Sequence, residues 1–185
     1  IMMPEDHDPN KGKLRSCGKA LKGVELKVID EDGNELKTGE IGEVISKSKL
    51  NMKGYWNKPE ATKESIVEGW FYSGDAGFFD DDGYLFIHDR VKDMIVSGGE
   101  NIYPAEVENA LMSSAEILDA AVIGIPDDKW GESVKGFVVL AADSSLSEDE
   151  IISYTRTQIA AYKCPKSIEF IKELPRNPSG KILRR

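Results

Sequence analysis

The chain has 185 residues, with 24 Lys+Arg against 33 Asp+Glu and a formal net charge of −9. That length fits one ordinary domain or two small ones, and apolar residues at 40% with charged residues at 31% exclude a disordered tail or a fibre. The acidity argues against general nucleic-acid binding, no run approaches the roughly 18 apolar residues of a membrane span, and two cysteines make no disulfide framework, so a reducing, cytoplasmic setting is expected.

In chain order, residues 1–20 are polar, with Pro4, Pro9, Gly12 and Gly18, and read as an irregular entry segment; Ile1 in place of Met fits a start inside a longer chain. Val24, Leu26 and Val28 alternate with Glu25 and Lys27, the pattern of a half-buried strand. Glu31-Asp32-Gly33-Asn34 supplies a turn, and Gly39–Lys49 reads as the returning strand. Pro59–Ile66 is expected to be a short helix with proline in its first turn. Short strands are expected at Trp70–Tyr72, Gly77–Phe79 and Tyr84–His88, so residues 20–88 read as a small antiparallel β unit. Tyr55, Trp56, Trp70, Phe78 and Phe79 read as packing residues of that unit.

The texture changes after Asp89. Met94–Ser97 reads as a strand leading into the loop Gly98-Gly99-Glu100, and a helix starts near Pro104 with Val107, Ala110 and Leu111 at helical spacing. Glu106 and Glu108 fit the N-terminal end of that helix, favoured by its dipole. Ala120–Ile125 and Val134–Ala141 read as strands. Ser147-Glu148-Asp149-Glu150 is a capping box opening a second helix with Ile151, Ile152, Thr155 and Ile159 on one stripe. Ile168–Ile171 is the last expected strand. Charge is uneven too: residues 91–155 hold 3 basic and 13 acidic side chains, residues 156–185 hold 8 basic and 2 acidic. A cationic end on an acidic chain fits either a local anion or a solvated tail.

Most usual sources of chemistry are missing. Cys17, Cys164, His7 and His88 lack metal-ligand spacing, so no metal site is expected, and no serine sits in a G-x-S-x-G elbow. Pro178-Ser179-Gly180-Lys181-Ile182 lacks the first glycine and the hydroxyl residue of a Walker motif. Read from the residues alone, Asp75 either stabilises its own turn or accepts a pair of hydroxyls; Arg90 and Lys92 pair with neighbouring Asp89 and Asp93 or act on a ligand; Lys181 is a tail lysine or a movable cation.

Four segments go further. They are Tyr72-Ser73-Gly74-Asp75; Asp89-Arg90-Val91-Lys92-Asp93; Ser97-Gly98-Gly99-Glu100-Asn101-Ile102-Tyr103-Pro104 running into Glu106-Val107-Glu108; and Pro175-Arg176-Asn177-Pro178-Ser179-Gly180-Lys181. In this order they resemble the adenylate-forming superfamily of acyl-CoA synthetases, luciferases and peptide-synthetase adenylation domains. Gly39-Glu40-Ile41-Gly42, Gly54–Thr62 and Tyr162-Lys163-Cys164-Pro165 support the resemblance, and Asp127–Glu132 looks most like medium- and long-chain acyl-CoA synthetases.

The resemblance implies an α+β chain, the C-terminal portion of an AMP-forming acyl-CoA synthetase. Residues 1–89 would be the β-barrel-like subdomain that closes the AMP-binding domain, and 90–185 the mobile C-terminal domain. The phosphate loop and a Tyr-Gly-x-Thr-Glu segment would lie upstream, in a missing N-terminal portion of the same enzyme, so the 185 residues alone are expected to be inactive. The implied partners are a small carboxylate, ATP (leaving as AMP) and CoA, with Mg2+ arriving on ATP and taking no ligand from this chain. Lys181 would be catalytic in adenylation; Asp75 and Arg90 would hold the nucleotide; Lys92 would be the hinge. Ser97, Gly98 and Gly99 would wall the pantetheine tunnel, Trp130 would flank the CoA adenine and Lys163 would meet a CoA phosphate. Glu100 stands where many relatives carry arginine. Alternatives are an enzyme that loads a carrier protein, or a non-catalytic interaction domain.

Overall fold

The computed structural model describes residues 1–184, and the chain divides between Lys92 and Asp93 into two units, each with its own core. The architecture is α+β.

In the first unit the alternating stretch forms β1 (Glu25–Ile29), which pairs antiparallel with β2 (Gly42–Lys47). Helix α1 (Pro59–Ser65) carries proline in its first turn and runs straight into β3 (Ile66–Val67), a strand too short to announce itself in the sequence. β4 (Trp70–Phe79) is central: β2 lies along one edge, and β3 and β5 (Leu85–Arg90) share the other, all antiparallel. Val28, Val44 and Leu85 form the core, with Leu26, Leu36 and Phe79 packed against it.

Polar contacts supplement this small core. Lys13 Nζ lies 2.5 Å from Asp80 and 2.7 Å from Asp82, and the Tyr84 hydroxyl donates to Asp6 at 2.5 Å, fastening the entry segment to the β4–β5 turn. Burial pushes the Asp80 carboxyl up, but donation from Lys13 and from the Tyr84 N–H outweighs it and holds the group below its ordinary value. The Tyr84 hydrogen bond likewise lowers Asp6.

Two expectations change here. The strands at Trp70–Tyr72 and Gly77–Phe79 are one strand, because bulges opposite Val44 and between Ala76 and Gly77 absorb the irregularity that reads as a turn. Trp56 is no packing residue: it is 88% exposed, and Tyr55 beside it 44%, whereas Phe78 stacks on Phe86 at 5.2 Å.

In the second unit β6 (Ile95–Ser97) and β7 (Glu100–Ile102) form a tight hairpin, where the sequence suggests only a loop after β6. Helix α2 (Pro104–Met112) follows, then the long hairpin of β8 (Ile117–Asp127) and β9 (Gly131–Leu140). Helix α3 (Glu148–Gln158) opens on the expected capping box, Ser147 Oγ accepting from Glu150 N–H and Glu150 accepting from Ser147 N–H. That box lowers the Glu150 carboxyl. Ile159 lies just past the helix yet packs on the core. β10 (Ser167–Phe170) runs parallel to β9.

One face of this sheet, through Val122, Val134 and Val138, packs on Val107, Leu111 and Ile151 of the helices. The other face, through Ala121, Phe137 and Val139, is covered by Ile171, Leu174 and Ile182 of the C-terminal strap. The strap therefore lies on the sheet and is no free tail. A 3-10 turn over Val91–Asp93 contains the passage from one unit to the next.

Candidate functional site

In the first unit Asp75 and Arg90 face each other across β4 and β5, with Arg90 Nε 3.0 Å from Asp75 Oδ1. Asp75 does not sit in a tight turn between strands, as its sequence context suggests; it lies within β4 at the bulge. Gly74 takes φ +70°, a left-handed conformation that side chains disfavour. Ser73 Oγ locks this point, donating to the Val44 carbonyl at 2.6 Å and accepting from Asp75 N–H at 3.0 Å. The second Arg90 nitrogen donates to the Ser73 carbonyl at 3.3 Å. Both side chains remain partly exposed, so a carboxylate and a guanidinium are presented together on two paired strands. Such a pair can take two hydroxyls on one side and an anion on the other. Lys92, the proposed hinge, is the last residue of this unit and lies in the 3-10 turn.

In the second unit Ser97 pairs with Glu100, leaving Gly98-Gly99 as a two-residue turn with φ +62° and +86°, the geometry of a type I′ hairpin. Gly98 is constrained twice, since a Cβ there would come within 2.8 Å of the Trp130 ring. Its N–H donates to the Trp130 carbonyl at 2.9 Å. Trp130 sits on the β8–β9 turn, where Asp127 Oδ1 accepts from Lys129 N–H and Trp130 N–H, and Lys129 lies over the indole at 4.4 Å. Ser97, Gly98, Glu100, Trp130, Tyr162 and Lys166 line a cavity of about 140 Å3 here.

Lys163 does not line this cavity: its ammonium is held by both Glu106 oxygens at 2.7 Å. Tyr162 and Lys166 stand there instead: sequence reasoning quotes Tyr162 only within the Tyr162-Lys163-Cys164-Pro165 segment, with no site role, and misses Lys166, which follows that segment. Glu106 and Glu108 do more than answer the helix dipole: each binds a cation of the basic end, Lys163 and Arg184. Burial pushes the Cys164 thiol up, which disfavours its thiolate form.

Lys181 ends a closed loop. Arg176 bridges to Ile182, and Asn177 Oδ1 accepts from Ser179 N–H, Ser179 Oγ and Lys181 N–H at 2.8–3.0 Å. Arg176 also donates to the Gly180 carbonyl and to Asp119 at 2.6 Å. The loop is tied down locally by these contacts. Lys181 itself is exposed, and its ammonium meets no partner among the described residues.

The two features lie at opposite ends of one hairpin. The Lys181 loop is anchored at Asp119, paired with Val139, while the Gly98 turn and Trp130 meet at the Asp127–Gly131 end. Asp119 and Asp127 are roughly 26 Å apart along the strand at about 3.3 Å per residue. A cation-bearing loop and a narrow, glycine-walled cavity therefore stand at opposite ends of one hairpin.

Among the described residues no group of three His, Cys, Asp or Glu is placed to hold a metal ion, and no helix is long and apolar enough to cross a membrane. The sequence pattern of the AMP-binding enzyme C-terminal domain matches residues 106–181, and that of the AMP-binding enzyme matches residues 1–56. A fatty acid–[acyl-carrier-protein] ligase, ScoC of Streptomyces coeruleorubidus, is 46% identical over 98% of the chain and 35% of its own length. The long-chain-fatty-acid–CoA ligase FadD13 of Mycobacterium tuberculosis is 47% identical over 93% of the chain and 34% of its own length. The o-succinylbenzoate CoA synthetase MenE of Bacillus subtilis, solved with its acyl-adenylate intermediate, superposes with a TM-score of 0.88 at 39% identity, covering 99% of the chain and 37% of MenE. The chain thus spans about a third of the length of the curated relatives it matches.

Proposed function

Because this chain belongs to the AMP-binding, adenylate-forming enzymes and matches their C-terminal portion, we propose that it serves an ATP-dependent acid–thiol ligase acting on a fatty or related carboxylic acid. The observation that carries this reading is the placement of the Lys181 loop and the Gly98–Trp130 cavity at opposite ends of the β8–β9 hairpin. A ligase that first adenylates and then thioesterifies needs two different tools delivered in turn.

In the first half-reaction a carboxylate oxygen attacks the α-phosphorus of ATP, the bond to the bridging oxygen breaks, and pyrophosphate leaves. Two anions must be held together, and the Lys181 ammonium offsets their repulsion and the charge developing on the phosphoryl oxygens. Asp75 accepts the ribose hydroxyls and Arg90 braces it while reaching ribose or phosphate. In the second half-reaction a thiolate attacks the acyl carbon and AMP leaves. The second unit turns about Lys92, withdrawing Lys181 and bringing Ser97, Gly98 and Gly99 alongside the pantetheine arm. Trp130 then flanks the adenine of CoA, and Lys166 is better placed than Lys163 to meet a phosphate. Mg2+, where it enters, comes with the nucleotide phosphates.

A second reading of the thiol partner has its own support: the relatives that are closely similar over nearly the whole chain include both a carrier-protein ligase and a CoA ligase. A phosphopantetheine arm is common to both acceptors, so the cavity suits either.

The test is carboxylate-dependent ATP–pyrophosphate exchange and thioester formation by the full-length enzyme over a panel of acids, with CoA and holo carrier protein as separate acceptors. Exchange dependent on a carboxylate, followed by transfer to one acceptor, supports the reading and names the thiol. Absence of exchange across the panel contradicts it. The 185 residues alone are expected to release no pyrophosphate.

A further inference from the structure

Three residues beyond Lys181, Arg184 lies half-buried in a clasp. One guanidinium nitrogen donates to both carboxylate oxygens of Glu108 at 2.8 Å, and the other reaches Asp93 at 3.3 Å. The side chains of Glu108 and Asp93 are only 13% and 15% exposed, so these are sheltered charges. Glu108 is itself fixed, since its Oε1 also accepts from Val122 N–H on β8 at 2.9 Å. One arginine therefore ties the outgoing arm of the Lys181 loop to helix α2, to the sheet, and to the residue that follows Lys92. The incoming arm is tied separately, by Arg176 to Asp119.

Resting on the reading above, we infer that Arg184 is a positioning residue for Lys181: the clasp with Glu108 and Asp93 sets the register of the loop and hence where the ammonium arrives during adenylation. The physical reason is leverage. Inside the loop Asn177 holds the Lys181 N–H, so the loop keeps its own shape, and its direction on the sheet is set by the anchors outside it, Ile182 packed on the sheet and the two arms. A planar guanidinium whose two terminal nitrogens each meet a different carboxylate defines direction as well as distance, which an ammonium does not. Misplacing a reacting group by about 1 Å costs on the order of 100-fold in rate. The Gly98–Trp130 cavity lies at the Asp127–Gly131 end of the hairpin and none of its lining residues belongs to the clasp, so loosening the clasp is expected to weigh on exchange far more than on thioesterification.

The test compares Arg184→Ala, Arg184→Lys, Lys181→Ala and the double variants in the full-length enzyme. Pyrophosphate exchange, thioester formation from supplied acyl-adenylate and thermal unfolding are followed. Arg184→Ala is expected to lower the exchange kcat by about 100-fold. Arg184→Lys keeps the charge that neutralises Glu108 and Asp93 but loses the fork, and is expected to lower it by about 10-fold with Tm retained. Both are expected to keep thioester formation within about twofold. On the Lys181→Ala background neither should lower exchange further, because a residue acting only through Lys181 has nothing left to position. Equal loss in both half-reactions, additive loss with Lys181→Ala, or no loss at all in Arg184→Lys and Arg184→Ala overturns the inference while leaving the proposed function standing. Full exchange by Lys181→Ala overturns the proposed function, and the inference with it.

Discussion

In the first unit the candidate site residues are built into the sheet: Asp75 on β4 and Arg90 on β5 are cross-strand neighbours beside a bulge that carries Gly74. In the second unit the candidate site residues lie outside the packed middle of the sheet. They sit on turns at the two ends of a long hairpin whose middle is packed by helices on one face and by the strap on the other. A pair that holds a ligand in one place gains from being built into the sheet. Two tools used in alternation gain from sitting far apart on a body stiff enough to move whole.

The cores of the two units differ in extent. Leu111 is fully buried in the extended core of the second unit, whereas Val44 belongs to the small cluster of the first. Leu111→Ala should therefore destabilise by about 2–5 kcal/mol, the largest effect expected here, against roughly 1–2 kcal/mol for Val44→Ala, both read by urea unfolding. Equal costs would contradict the difference in packing. Next in size, Asp75→Ala should weaken ATP binding by the full-length enzyme about 10- to 100-fold while changing stability by less than about 1 kcal/mol, because the ion pair is partly exposed. A large loss of Tm with unchanged ATP affinity would make the pair structural.

Smaller effects sharpen the contrast. Ser147→Ala removes the capping box of α3 and should cost the second unit about 1 kcal/mol. The smallest concerns acid. Asp80 is lowered in the folded protein, so its contact with Lys13 contributes fully above the ordinary carboxylate range and is lost as pH falls through the lowered value. Lys13→Met should therefore weaken the first unit near neutrality and leave it unchanged in strong acid, as read by the Tyr84 region in a pH series of hydrogen exchange. A penalty independent of pH would assign Lys13 a packing role alone.

Much of this was legible in the residues. Alternation marked β1, the Pro59 signal marked α1, and the Ser147–Glu150 spacing marked the α3 cap, because each depends on local geometry alone. The continuity of β4 was not legible: a bulge is a relation to Val44 on another strand, and Ser73-Gly74-Asp75 alone reads as a turn. Lys163 shows the same limit. Its positive charge was visible, but not that Glu106, far away in sequence, would hold it and leave the cavity to Tyr162 and Lys166. Arg184 looked like one more cation in a basic end; its clasp exists only once α2, β8 and the strap meet. Trp56 runs the other way, an aromatic residue that packing arguments would bury and the structure leaves exposed.

If the two ends of the β8–β9 hairpin serve different half-reactions, crossed variants at the two ends separate them. In the full-length enzyme, Lys181→Ala and Gly98→Val are each assayed for pyrophosphate exchange and for thioester formation from supplied acyl-adenylate. A side chain at Gly98 meets both an unfavourable φ and the Trp130 ring, so it should cripple thioester formation and spare exchange. Lys181→Ala should do the reverse, losing on the order of 100-fold or more in exchange. Both variants failing in the same half-reaction, or each failing equally in both, would contradict the account.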